Sequence, residues 1–305
     1  MLLKSGTVAI EEYAGGADRD TRFLWFSVTK SVFSTLVGAA VAEGRLRVAE
    51  LAAAHVPELN GTAYRRVRIG DLLRMASGVG FCEDDDSPDS HIAEFIRIIA
   101  RGDGGLRNLC LSLSAERAPG RHFNYSSMDT EVLGIVLSTA TQQNVSEYLS
   151  QRIWQPMGAE SDAGWIVDQP GRLGREVVSG GLCATLPDMA RFGRLVSNVD
   201  RAGVEVVHSG WWRRALAASG PRACGRLLPE FGFGYGYHWW LLKKPRPLAV
   251  AMGNFGQFLI VDRENDLVFV CASAWRKAYV AERCADVLDF FAGLEVENVR
   301  RRKLR

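Results

Sequence analysis

The chain has 305 residues, 47% of them apolar, and its 37 Lys and Arg against 35 Asp and Glu leave a net charge of +2. That is enough apolar material for one sizeable core, or for two lobes sharing a cleft, and a charge so close to balance gives no reason to invoke nucleic acid. No uninterrupted apolar run reaches the length of a bilayer span, and the first residues lack a charged leader followed by an apolar stretch, so no membrane partner is expected and the cytoplasm is the expected compartment.

In chain order, residues 2–4 and 7–13 flank Ser5-Gly6 as the two strands of a hairpin would. A helix is expected over 27–46, because Val28, Val32, Phe33, Leu36, Val37, Ala40 and Val41 cover most of its circumference, as in a helix inside a core. Ser27, Lys30, Ser31, Ser34 and Gly38 form its only polar or small stripe, and Gly44 suits its end. Helical segments dominate to about Val196, interrupted by loops that carry Asp84-Asp85-Asp86 and the glycines at 102–105. Strand patterns return at 235–242, 248–252, 257–262 and 267–272, the last two joined by the polar turn Arg263-Glu264-Asn265-Asp266. A final helix over about 279–294 should lie on the sheet. Strands at both ends with helices between put both chain ends in one sheet and insert a helical lobe. The expected class is therefore α/β (α+β): an antiparallel sheet flanked by helices, with the site in the cleft beside the inserted lobe. Residues 1–305 read as a single domain, with a sheet lobe at about 1–26 and 225–305 and a mainly helical lobe at about 27–224.

The chemistry begins at Ser27-Val28-Thr29-Lys30. A serine hydroxyl is a poor nucleophile near neutral pH and needs a base within hydrogen-bond reach. On a helix, residues i and i+3 share a face, so the Lys30 amine would lie beside the Ser27 hydroxyl. Burial in such a helix penalises the charged ammonium, which should lower the lysine's pKa towards the range where it accepts a proton. Tyr125-Ser126-Ser127 offers further hydroxyls. Cys82, Cys110, Cys183, Cys224, Cys271 and Cys284 contain no Cys-x-x-Cys pair and no metal-ligand spacing with the five histidines, so free thiols and no metal are expected. Gly232-Phe233-Gly234-Tyr235-Gly236 has the spacing of a dinucleotide loop, but no helix follows it, and no cofactor is expected. Arg300-Arg301-Arg302-Lys303-Leu304-Arg305 reads as a solvated basic tail.

The segment Pro119-Gly120-Arg121-His122-Phe123-Asn124-Tyr125-Ser126-Ser127-Met128-Asp129-Thr130-Glu131-Val132-Leu133-Gly134 resembles the Pro-Gly, Tyr-Ser and Leu-Gly block of the serine β-lactamase and penicillin-binding-protein superfamily. Its nearest likeness is the class C-like branch of 6-aminohexanoate-dimer hydrolases, carboxylesterases and D-amino-acid amidases. Further blocks at similar spacing are Asp71-Leu72-Leu73-Arg74-Met75-Ala76-Ser77-Gly78, Pro156-Met157-Gly158, Ser179-Gly180-Gly181-Leu182, Asp188-Met189-Ala190-Arg191-Phe192-Gly193 and Gly253-Asn254-Phe255-Gly256-Gln257. The likeness runs from about residue 5 to residue 290, and Ser-x-x-Lys is itself a signature of the superfamily.

The resemblance implies a β-lactamase-like fold and an amide- or ester-cleaving serine hydrolase. In it Ser27 becomes the acyl-enzyme, Lys30 takes its proton and Tyr125 passes a proton to the leaving group. The backbone amides of Ser27 and Asn254 would hold the oxyanion, with Gly253 permitting close approach of backbone to substrate. A nearby ammonium is expected to lower the pKa of Tyr125. Two departures stand out. Relatives often carry Asn where this chain has Ser127, a shorter group still able to reach Lys30 or the substrate. Where β-lactam enzymes carry Lys-Thr-Gly or His-Thr-Gly, the chain has Ala251-Met252-Gly253, so the cation that would bind a β-lactam carboxylate is missing. The expected function is a hydrolase of the 6-aminohexanoate-dimer-hydrolase or esterase type acting on a small molecule. The alternatives are a β-lactamase or D-Ala-D-Ala-type peptidase, and a non-catalytic relative that binds acyl compounds. Relatives usually place a helix before the first strand, so this N-terminus reads as shortened; either the start is incomplete or the chain self-associates through uncovered sheet surface.

Overall fold

The structure, a computed structural model, describes residues 1–198, 207–218, 232–243 and 246–294; Cys224 and the basic tail at 300–305 lie outside them. Its strands are β1 (Leu2–Lys4), β2 (Thr7–Ile10), β3 (Arg22–Leu24), β4 (Gly164–Trp165), β5 (Leu182–Thr185), β6 (Gly234–Tyr235), β7 (Trp240–Leu242), β8 (Leu248–Gly253), β9 (Gln257–Asp262) and β10 (Leu267–Cys271). Its α-helices are α1 (Val28–Ala42), α2 (Ala52–His55), α3 (Ile69–Leu73), α4 (His91–Arg101), α5 (Leu106–Ser112), α6 (Ser127–Thr141), α7 (Val145–Leu149), α8 (Leu186–Ser197), α9 (Ser209–Ala215) and α10 (Ala281–Ala292).

Seven strands form an antiparallel sheet in the order β2-β1-β10-β9-β8-β7-β6, so the N-terminal hairpin pairs with a strand from near the C-terminal end. The hairpin turn Ser5-Gly6 has φ of 49° and 71°, the left-handed pair that a two-residue turn between twisted strands requires. Successive side chains of the central strands point to opposite faces of the sheet, and both faces are buried. Ala249, Ala251, Leu259, Val261, Val268 and Val270 pack towards α1 and α8. Val250, Ile260 and Leu267 pack on the other face with Cys284, Leu288 and Phe291 of α10. Because both faces are covered, β8 and β9 read as continuous apolar runs rather than as an apolar and polar alternation. The sheet is less covered at the edge strand β2, where Val8 is exposed, and around the half-buried Phe269 and Cys271 beside the exposed Phe290. Among the described residues no helix is long and apolar enough to cross a membrane.

Helix α1 is buried from Val28 to Ala40, and its small and polar stripe has specific partners. Ser31 Oγ and Ser34 Oγ donate to the carbonyls of His238 and Tyr237 at 2.6 and 2.8 Å, and Gly38 lies against the ring of Trp211. Those carbonyls belong to a turn that divides the expected 235–242 strand into β6 and β7, with His238 at φ 57°. Four successive large side chains masked that turn, because residues 237–240 are buried whether the backbone runs straight or doubles back. A second sheet, β3-β5-β4, was not legible either, since strands of two to four residues carry no usable alternation.

The block at 188–193 and the buried Trp25 have clear structural work. Thr185 caps α8 by accepting the Asp188 amide, the Asp188 carboxylate accepts the Thr185 hydroxyl and the amides of Glu160 and Ser161, and Gly193 lets α8 approach Val268 and Leu259 of the sheet. Trp25, between β3 and α1, is fully buried with Nε1 donating to Ala184 O at 3.0 Å. Trp25→Ala is expected to destabilise the fold by about 3–5 kcal/mol, read as a lowered urea midpoint at unchanged slope.

Candidate active site

Ser27 is the N-cap of α1, and its side chain makes no capping hydrogen bond, so its hydroxyl is left for the cleft. Phe26 before it has φ 44°, an uncommon conformation for a non-glycine residue that turns the chain sharply from β3 into α1. One turn on, Lys30 is 1% exposed. Its Nζ lies 2.9 Å from Ser27 Oγ, 3.1 Å from Ser127 Oγ and 2.8 Å from Ser179 O. Burial lowers the lysine's pKa from its ordinary value; the carboxylates of Glu83, Glu131 and Asp85 pull it back up.

Tyr125 stands across the cleft, its ring 5.1 Å beneath Lys30 Nζ and stacked on Trp240. The expectation of a lowered tyrosine pKa is overturned. Desolvation and then the Glu83 charge raise it far above the ordinary value, only partly offset by the contact with the Ser27 side chain. The lysine lies against the ring of Tyr125, and desolvation, the largest influence on the hydroxyl, holds Tyr125 as the neutral phenol.

Asn254 and Gly253 arrive on the β8–β9 turn, where Phe255 and Gly256 take φ of 61° and 86°. Gln257 Nε2 donates to the carbonyls of Asn254, Phe255 and Ser273 and so pins the turn. At Gly253 the strand meets the start of α1 backbone to backbone: a Cβ there would lie 2.5 Å from Trp25 O and 3.1 Å from Ser27 N. Ala251, by contrast, is buried on the α1 side of the sheet, and Met252, Gly253 and Asn254 are what β8 presents to the cleft.

The cleft holds about 1160 Å³, with walls that include Phe81, Ile92, Ile96, Phe123, Trp240 and Trp275. Glu83, Asp84, Asp85 and Asp86 also line it, and Asn254 Nδ2 donates to Asp85 Oδ1 at 3.3 Å. Among the described residues no Lys, Arg or His lines the cleft, Lys30 lying beneath Ser27 and Ser127. Nor is any group of three His, Cys, Asp or Glu placed among them to hold a metal ion.

The structure thus brings Ser27, Lys30, Tyr125, Ser127, Gly253 and Asn254 to one cleft. Sequence reasoning missed Glu83, which accepts both the Ser127 hydroxyl and its backbone amide, and Ser179, whose carbonyl faces the lysine. Glu83 opens an acidic run that read as a loop, and although Ser179 stands in one of the family-like blocks, a backbone acceptor has no side-chain signature that would reveal its role.

A family model described as Beta-lactamase matches residues 1–288. The 6-aminohexanoate-dimer hydrolase of Paenarthrobacter ureafaciens is 32% identical over 288 residues, covering 90% of this chain and 72% of that one. A solved structure from Bacillus anthracis, provisionally assigned as a 6-aminohexanoate-dimer hydrolase, superposes with a TM-score of 0.81 at 20% identity, over 95% of this chain and 76% of its own. EstCE1, described as a hydrolase with promiscuous acyltransferase activity, gives a TM-score of 0.68 at 14% identity, over 89% and 87%. These last two likenesses establish the fold.

Proposed function

We propose, from the premise that this chain belongs to the beta-lactamase family, that it cleaves an uncharged amide or ester through an acyl-enzyme on Ser27. The protein is a serine hydrolase of the amidase and esterase kind. The observation that carries the assignment of roles is the 2.9 Å approach of a buried lysine amine to a hydroxyl at a helix start that opens on the cleft.

Neutral Lys30 takes the Ser27 proton as Oγ bonds to the substrate carbonyl carbon, a base contribution of roughly 10²–10⁴ in rate. The carbonyl π electrons move onto oxygen, which the amides of Ser27 and Asn254 receive. Collapse of this intermediate breaks the bond to the leaving group. Tyr125, kept as a phenol by its surroundings, hands that group a proton, and the Lys30 ammonium makes good the loss. Water then attacks the acyl-enzyme with neutral Lys30 again as base, and the proton returns to Ser27.

The lining of the cleft favours this reading over a β-lactamase or peptidase. A penicillin brings a carboxylate, and among the described residues the wall offers it four acidic residues and no Lys, Arg or His. Loss of a charge-assisted hydrogen bond typically costs about 1.5–3 kcal/mol, roughly one to two powers of ten in binding. Short p-nitrophenyl esters are therefore expected to be hydrolysed with a kcat/KM at least tenfold above those of nitrocefin and benzylpenicillin. A higher specificity constant for penicillin than for every neutral ester or linear amide tried would reverse the choice.

A further inference from the structure

We infer that Glu83 is a positioning residue for acylation: by taking both protons of Ser127 it turns that hydroxyl's oxygen to Lys30 and reserves the lysine's lone pair for Ser27. The inference rests on the reading of Lys30 as the base of a serine hydrolase.

The geometry begins at α6. The amide of Ser127, in the first turn of that helix, has no partner within the helix, and a carboxylate is a favoured acceptor there. Glu83 supplies it, with the amide donating to Oε2 at 2.8 Å. Its other oxygen, Oε1, accepts the Ser127 hydroxyl at 2.5 Å, the length of a hydrogen bond from a hydroxyl to an ionised oxygen. Burial raises the carboxyl's pKa, while Lys30 and the two Ser127 donors oppose that rise.

A serine hydroxyl has one proton. Once it is committed to Glu83, Ser127 Oγ can only accept from Lys30, 3.1 Å away, and Ser179 O, 2.8 Å away, can do nothing else. A neutral amine has two N–H bonds and one lone pair. Both N–H bonds are then taken, and the remaining neighbour, Ser27 Oγ at 2.9 Å, faces the lone pair. A Ser127 hydroxyl free to rotate would donate to that lone pair instead and compete with the nucleophile. When Ser27 Oγ bonds to carbon and its proton moves to Lys30, the resulting ammonium finds all three acceptors already in place.

The charge matters as well. Around Lys30 stand Glu83, Asp85 and, on α6, Glu131, whose Oε1 accepts the Ser179 amide. Tyr125 presents its ring, and His238, pushed down to about 3 by burial, is neutral. Of these carboxylates Glu83 does most to hold a proton on the lysine, so removing its charge eases deprotonation of Lys30.

The test is the pH dependence of acylation, followed as the p-nitrophenol burst from p-nitrophenyl acetate. In Glu83→Gln the amide has one acceptor oxygen in place of two, so the Ser127 hydroxyl is turned back on the lysine. The burst rate should fall about 10- to 100-fold with KM little changed, the scale of a lost hydrogen bond to a charged group. At the same time the acid limb of the rate profile should move to lower pH. Ser127→Ala removes the competing hydroxyl, so Glu83→Gln in that background should cost much less than in the parent, a coupling read from the double-mutant cycle. Glu83→Asp, which restores the charge, should return the acid limb to its original place, and equal thermal melts of the variants exclude a loss of fold as the cause. An unchanged acid limb in Glu83→Gln, or fully additive losses with Ser127→Ala, would overturn the inference. Persistent burst kinetics in Lys30→Met would instead overturn the assignment of the base, which is a separate failure.

Discussion

Ser27→Ala is expected to abolish turnover, and a fluorophosphonate probe is expected to label the parent chain at Ser27 alone. Loss of a nucleophile in a serine hydrolase costs on the order of 10⁴–10⁶ in kcat, because what remains is substrate binding and the oxyanion donors. Selectivity follows from the surroundings of the other candidates. Ser77 and Ser179 are 4% and 2% exposed, and Lys30 meets Ser179 at its carbonyl, whereas Ser27 opens on the cleft with its hydroxyl 2.9 Å from Lys30 Nζ. Lys30→Arg should be as inactive as Ser27→Ala, since a guanidinium stays protonated and cannot serve as a base. Lys30→Met should also be inactive yet fold, because it replaces a buried, desolvated amine by an apolar chain of similar length. Mapping of the labelled peptide to Ser77 or Ser179, with Ser27→Ala still active, would refute the assignment of the nucleophile.

Gly253→Val is expected to lose most activity while the chain stays folded. The first added carbon would sit 2.5 Å from Trp25 O and 3.1 Å from Ser27 N, and both are backbone atoms of the segment that delivers the nucleophile. Neither can rotate away. Relief requires the end of β8 to part from the start of α1, and these two segments carry the two amides assigned to the oxyanion. Removing one such donor typically costs about 10²–10³ in kcat, and displacing both should cost no less. Overpacking of this kind destabilises by roughly 1–3 kcal/mol, which a fold of this size tolerates. A Gly253→Val variant with kcat within threefold of the parent would show that the close approach at β8 has no part in the reaction.

Much of the fold and of the site is written in local patterns of the chain. A run of apolar residues around a whole helix, broken only by Ser27, Lys30, Ser31, Ser34 and Gly38, fixed both the burial of α1 and the pairing of Ser27 with Lys30, because i and i+3 are neighbours on any helix. The continuous strands at 248–252 and 257–262 were legible for the same reason: their patterns are local. What the tertiary structure alone decided is how distant groups meet. Ser127 reads as a weakened stand-in for Asn, yet the fold sets Glu83 against it, and that contact spans 44 residues that no local pattern links. Tyr125 reads as a phenol acidified by a lysine. In the fold the lysine meets its ring, and the dominant influence on the hydroxyl is desolvation, followed by a carboxylate from another loop. Periodicity records which face of an element is buried; the electrostatics of a cleft depend on which charges are carried to it from elsewhere, and those distances exist only once the chain has folded.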